Sequence, residues 1–286
     1  MRSTMKRAQE PAPGRRKRLP HRGKHSACLG LLLLFGCGNL AAASAVADVL
    51  ARSGRAVERF WEEFAAINCT ETVTQMKLGK GGKPEHRREA SYDYLVMMRL
   101  ADEELTFEES RVGLRPAGKE KKQEEEEERI LLVTSGFSTL LLIFHPHFQH
   151  GFEYSEPEET DLDGKKTLKV NFRHVRGGRT PSCLRLRGRD YPIGWSGSAW
   201  IDPAAGTIVR IAAEAGSSLA DLGLRRLEAD VRYAPVRFAE APGEQWLPYA
   251  ASIELRTQRQ HWRNIHGFAG YKRFTVSTTT TTEAPR

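Results

Sequence analysis

Between Ile67 and Val276 the chain is dominated by period-two alternation broken by turn residues, and this pattern restricts the fold more than any other feature. Over 67–78, Thr70, Thr72, Thr74, Met76 and Leu78 alternate with Glu71, Val73, Gln75 and Lys77, until Gly79, Gly81, Gly82 and Pro84 end the run. Tyr92, Tyr94, Val96, Met98 and Leu100 share one face of the next predicted strand. Leu105–Val112, Phe152–Tyr154, Thr167–Val175, Cys183–Arg187, Leu227–Phe238, Trp246–Thr257 and Phe268–Val276 read as further strands. Residues 198–202 and 207–211 flank Pro203-Ala204-Ala205-Gly206, which places a hairpin turn opened by Asp202. Connections this short join antiparallel neighbours, because a parallel pair needs a long crossover.

Helical periodicity is confined to two places. Val57, Phe60, Trp61 and Phe64 recur at i, i+3, i+4 and i+7, with Glu58, Arg59, Glu62 and Glu63 on the other face. A shorter helix is predicted over Phe137–Phe144, stopped by Pro146. Few helices and about nine to eleven strands define an α+β fold: a single large curved antiparallel sheet, an open half-barrel, with the helices packed on its concave face.

The net charge of +8 suggests an anionic partner until it is located. Nine of the 44 Lys/Arg (Arg2, Lys6, Arg7, Arg15, Arg16, Lys17, Arg18, Arg22 and Lys24) and one acid, Glu10, precede residue 48, so the signs balance from Asp48 onward. Nucleic-acid binding is therefore not expected. The basic stretch leads into an apolar core, Ala27 to Leu40, and then small residues ending in Ala45-Val46-Ala47. That is the layout of a signal peptide, predicting residues 1–47 as a leader cut before Asp48. Leu34-Phe35-Gly36-Cys37 offers a second route, lipidation at Cys37, although Phe35 fits a lipobox poorly. Either route predicts an exported protein of the periplasm or outer-membrane periphery, with membrane association in the second.

Cys69 and Cys183 remain beyond the leader. They form either one disulfide closing a long loop or two buried thiols, and the bridge is the expectation. Residues 116–129 are a charged insert with a run of glutamates, read as solvated. The working domain is predicted over 48–276, followed by a flexible tail at 277–286.

No nucleophile elbow, zinc-protease helix or phosphate loop is present. His145, His147 and His150 lie close together, but Pro146 and the aromatic neighbours point to a turn, not a metal site. No catalytic residue, metal or cofactor is expected. The large apolar side chains suit either ordinary core packing or a cavity on the concave face. Candidates to line such a cavity are Val57, Phe60, Trp61, Phe64, Tyr94, Val96, Met98 and Trp200.

The order of these elements resembles the outer-membrane lipoprotein-sorting superfamily, typified by the LolA and LolB carriers and the lipid-sensing domain of RseB-type regulators. The resemblance rests on the leader, the amphipathic helix, the strand Cys69-Thr70-Glu71-Thr72-Val73-Thr74-Gln75 and the hairpin Ala199–Arg210. It covers roughly Val49 to Val276 and is one of pattern. It implies a non-enzymatic carrier or sensor holding a lipid or lipoprotein acyl chain in the half-barrel. A ligand-free structural or protein-interaction module of the envelope and a periplasmic hydrolase stand as alternatives.

Overall fold

The structure is a computed structural model. It describes residues 37–101, 104–114, 134, 136–186, 189–239 and 243–274. The basic and apolar parts of the leader, the charged insert and the tail lie outside these residues, as does the side chain of Met98. Residues 38–286 form one compact unit.

Helix α1 spans Cys37–Phe64. The strands are β1 Ile67–Leu78, β2 Pro84–Ala101, β3 Glu104–Gly113, β4 Phe152–Tyr154, β5 Glu158–Leu162, β6 Lys165–His174, β7 Cys183–Leu186, β8 Arg189–Pro192, β9 Trp195–Ile201, β10 Ile208–Ala215, β11 Leu224–Val236, β12 Gln245–Thr257 and β13 His261–Arg273. A 3-10 helix, Leu140–Phe144, runs into the short α2, Pro146–Gln149. Further 3-10 turns cover Lys80–Gly82 and Ser217–Leu222.

Eleven strands form one antiparallel sheet in the order β3-β2-β1-β13-β12-β11-β10-β9-β6-β4, with β5 also on β6. β3 and the β4/β5 edge do not pair, so the sheet stays open and the α+β half-barrel reading holds. β7 and β8 make a separate hairpin. Strands β1 and β13 pair from Ile67↔Arg273 to Lys77↔Trp262, which puts the first and last strands in the middle of the sheet.

Alternation sorts the two faces. Ile67, Cys69, Glu71 and Val73 of β1 are buried while Thr70 is exposed. Across the sheet the inner face carries Val170, Phe172, Ala199, Ile201, Ile211, Val231, Ile253 and Phe268. The outer face carries Ser198, Arg210, Asp230, Glu254 and Arg263, joined by pairs such as Arg210–Asp230 and Arg263–Glu254. Side chains of this size contribute about 1.5–3 kcal/mol each when buried, which fixes the register because a one-residue slip would expose the whole set.

The predicted second helix is a 3-10 turn in the structure. Leu140, Leu141, Leu142, Ile143 and Phe144 are all buried, so no polar face remains for a regular amphipathic helix. α1 begins well before its predicted stripe and passes through the Ala47–Asp48 junction. Its first buried side chain among those described is Val49, and Ala45 to Asp48 add none to the core.

The Asp202 turn forms as expected: the backbone N–H groups of Ala204 and Ala205 donate to Asp202 Oδ1 at 2.9 and 2.7 Å. Gly206 is required there twice over. Its φ is +70°, and a Cβ would lie 2.7 Å from the backbone carbon of Arg52, so this turn abuts α1. α2 holds the same part of α1: Gln149 Nε2 donates to Leu50 O at 3.1 Å and to Phe144 O at 2.8 Å. The first half of α1 is thus fastened through its backbone. The second half reaches the sheet through side chains, with Phe60 against Phe64 (ring centroids 4.7 Å apart) and edge-on to Tyr233 (6.3 Å).

Candidate functional site

The inner face has two halves of different chemistry. Under the second half of α1 lies a cleft of about 100 Å³ with a mixed polar and apolar lining. Val57, Phe60, Leu141, Ile208 and Leu247 form its walls, with Arg59, Glu63 and Glu244 also lining it. Gln245 lines the cleft too, is only 8% exposed, and its Oε1 has no hydrogen-bond partner. A buried acceptor left unpaired costs about 1–3 kcal/mol. Trp246 borders both this cleft and a groove of about 300 Å³ walled by Val209, Pro235 and Tyr249 and flanked by Lys165, Lys166 and Arg232.

The other half, on β1, β2, β3 and β13, holds a buried polar chain. Arg111 bonds Glu71 through Nε and Nη2, the latter at 3.0 Å, and its Nη1 lies 2.8 Å from Glu109 Oε2. His266 Nδ1 is 2.7 Å from Glu71 Oε1, and His266 Nε2 is 2.9 Å from Thr134 Oγ1. Asn264 Nδ2 donates to Thr134 Oγ1 at 3.0 Å. Tyr94 donates to Glu109 at 2.9 Å and meets Ser138 Oγ at 2.6 Å, and Gly136 N donates to Glu109 Oε1 at 2.7 Å.

Burial pushes the Glu71 carboxyl up, but the bonds from His266 and Arg111 outweigh it and hold Glu71 below the ordinary carboxylate range. An ionised Glu71 only accepts, so His266 Nδ1–H donates to it. Burial would depress the Arg111 guanidinium, yet Glu71 and Glu109 hold it fully charged. Burial first, then the Glu109 charge, keeps the Tyr94 phenol protonated.

Thr134–His266–Glu71 has the hydroxyl–imidazole–carboxylate order of nucleophilic catalysis. The void beside it is about 10 Å³, barely the space one water needs. The bonds instead tie Thr134 and Gly136–Ser138 to the sheet. Pattern reading missed this cluster because its members come from 71, 109–111, 134 and 264–266, with no local spacing to reveal them. A charged Glu71 on the inward set of β1, opposite the threonine face, was the available signal.

Among the residues expected to line a cavity, Val57 and Phe60 border the cleft. Phe64 and Val96 are packed in the core, and Tyr94 belongs to the polar chain. Trp61 faces His145 from the flank of α1, with ring centroids 6.2 Å apart. Trp200 sits on the outer face, under Arg210 at 4.6 Å and Lys169 at 5.9 Å, because Ala199 and Ile201 take the inward positions. Leu141, Ile208, Gln245 and Leu247 come from three separate segments and were not singled out.

Cys69 and Cys183 are not joined: Cys69 is buried on β1 and Cys183 is exposed on the β7–β8 hairpin. Burial pushes the Cys69 thiol up to about 12, so it is inert. Cys37, the lipidation candidate, is the first residue of α1. His145 Nδ1 accepts from His147 N at 3.1 Å and caps α2, while His147 Nε2 lies 3.1 Å from Arg179 Nη1. Among the described residues no group of three or more His, Cys, Asp or Glu is arranged to hold a metal ion. No described helix is long and apolar enough to cross a membrane.

The fold and site define a class: an open antiparallel half-barrel with one long helix laid over a cleft. No family model matches the chain, and no curated protein matches it. Among solved structures, it is similar to a DUF1329 family protein from Desulfovibrio piger, with 10% identity, 82% of this chain and 95% of that chain covered, and a TM-score of 0.42. It is also similar to an outer membrane lipoprotein-sorting protein domain from Vibrio parahaemolyticus, with 8% identity, 80% and 95% covered, and a TM-score of 0.35. The second bears the name of the superfamily that the sequence resembles.

Proposed function

We propose that this is an exported envelope protein that binds a lipid or lipoprotein acyl chain between α1 and the half-barrel, as a non-enzymatic carrier or sensor. The observation that carries the reading is the cleft of about 100 Å³ between the second half of α1 and the start of β12, with Val57, Phe60, Ile208 and Leu247 among its walls. The second half of α1 meets the core through apolar side chains, a non-directional contact that can shift to admit a chain. The cleft alone takes only a short alkyl segment, since roughly 30 Å³ is one water's share of liquid volume. Trp246, which borders both the cleft and the neighbouring groove, marks where a longer chain leaves the cleft.

The leader and the absence of any recognised nucleophile motif in the sequence support the same reading over a hydrolase. The test is displacement of N-phenyl-1-naphthylamine by acyl ligands. Ala56→Trp, which places a ring at the cleft wall, should weaken acyl binding by roughly tenfold, and Trp200→Ala on the outer face should leave it unchanged. Unaltered binding in Ala56→Trp would remove the cleft from the account.

A further inference from the structure

We propose that the cleft selects amphiphiles whose head carries an N–H or O–H donor next to the chain, and that Gln245 is the acceptor that reads it. The inference rests on the acyl-binding reading above. Gln245 is the first residue of β12, where it pairs with Val236 of β11. Its position turns the side chain into the protein, at 8% exposure, beside the walls made by Phe60 and Leu247. Its carbonyl oxygen is buried and meets no donor. Buried polar atoms are paired in the great majority of native structures, so an orphan beside a cleft marks where a ligand group belongs.

The chemistry of that group follows. An amide oxygen accepts and does not donate, so the complement is an N–H or O–H. An ester presents only acceptors and leaves Gln245 unpaired. An ionised carboxylate does the same, and it also meets Glu63 and Glu244 at the mouth, where Arg59 is the cation lining the cleft and Arg237 is engaged with Glu244 at 2.9 Å. The cleft's size matches a head and its first few methylenes. Beyond them the chain runs along Trp246 toward Val209 and Tyr249, which ask only for apolar contact. Discrimination by a site built to hydrogen-bond is stronger than discrimination by apolar fit, because the wrong ligand leaves a buried group unmatched.

The experiment compares decanamide with methyl decanoate by displacement of N-phenyl-1-naphthylamine from the purified protein and from Gln245→Met. Methionine keeps the length of glutamine and removes the acceptor. In the native protein the amide should bind roughly tenfold more tightly than the ester, about the worth of one hydrogen bond to a buried acceptor. In Gln245→Met the two should bind alike, with ester affinity retained. The unliganded variant should also melt at a higher temperature, since the orphan is gone. Equal binding to the native protein, a preference that survives Gln245→Met, or a lowered melting temperature in the variant would overturn the assignment. If neither ligand displaces the probe while Gln245→Met melts higher, the acyl-binding reading itself falls.

Discussion

The two halves of the inner face are held by different forces. The half under α1 is closed by the apolar side chains Val57, Phe60 and Phe64, and it contains the cleft. The half on β1, β2, β3 and β13 is closed by charged and polar bonds centred on Glu71, with almost no void. Apolar contact is non-directional and re-forms after a shift. A buried ion network has one arrangement, and losing a member strands a charge. The two halves should therefore answer differently to substitution.

Arg111→Met should break the fixed half most severely. It leaves Glu71 and Glu109 buried without their guanidinium, and denaturant unfolding should show a loss of about 3–5 kcal/mol. Phe60→Ala should cost about 3 kcal/mol, the low end for a buried phenylalanine, because the cleft already leaves one side of the ring unfilled. It should retain or improve acyl binding, whereas Arg111→Met should change binding only through stability. A larger loss from Phe60→Ala than from Arg111→Met would invert the comparison.

Acid unfolding separates the halves by pH. His145, at the apolar half, is lowered from 6.5 to about 4, by burial first and then by His147. The unfolded chain takes up that proton first, so His145 stability is present above pH 6.5 and is lost as pH falls toward 4. Glu71 is depressed below its ordinary 4.5, so its contribution is present above that value and is lost only at lower pH. Melting temperatures of His145→Asn, which can still cap α2, should flatten the first window alone. Glu71→Gln should reduce the second, where Glu254, also held below its ordinary value by Arg263 and His261, remains. The smallest effect should come from Trp200→Ala, about 1 kcal/mol for its cation–π contacts, with no change in either pH window.

The sheet was legible because alternation and turn residues are local. Thr70, Thr72 and Thr74 against Glu71, Val73 and Gln75 already separated the faces of β1. The extent of α1 was not legible, because its first turns coincide with the apolar and small residues of the leader. Trp200 was misplaced by its size, although Ala199 and Ile201 beside it alternate inward. The polar chain and the sheet side of the cleft stayed hidden for one reason: Glu71, Arg111, Thr134 and His266, like Leu141, Ile208 and Gln245, are far apart in sequence and are brought together only by the fold.

The most direct test of the cleft is photo-cross-linking with a diazirine-bearing decanamide, read by peptide mass spectrometry. The account predicts labels on α1 between Ala56 and Glu63 and on β12 between Gln245 and Leu247, all competed away by unlabelled decanamide. Labels concentrated on the outer face around Ser198 and Trp200, or spread without competition, would contradict it.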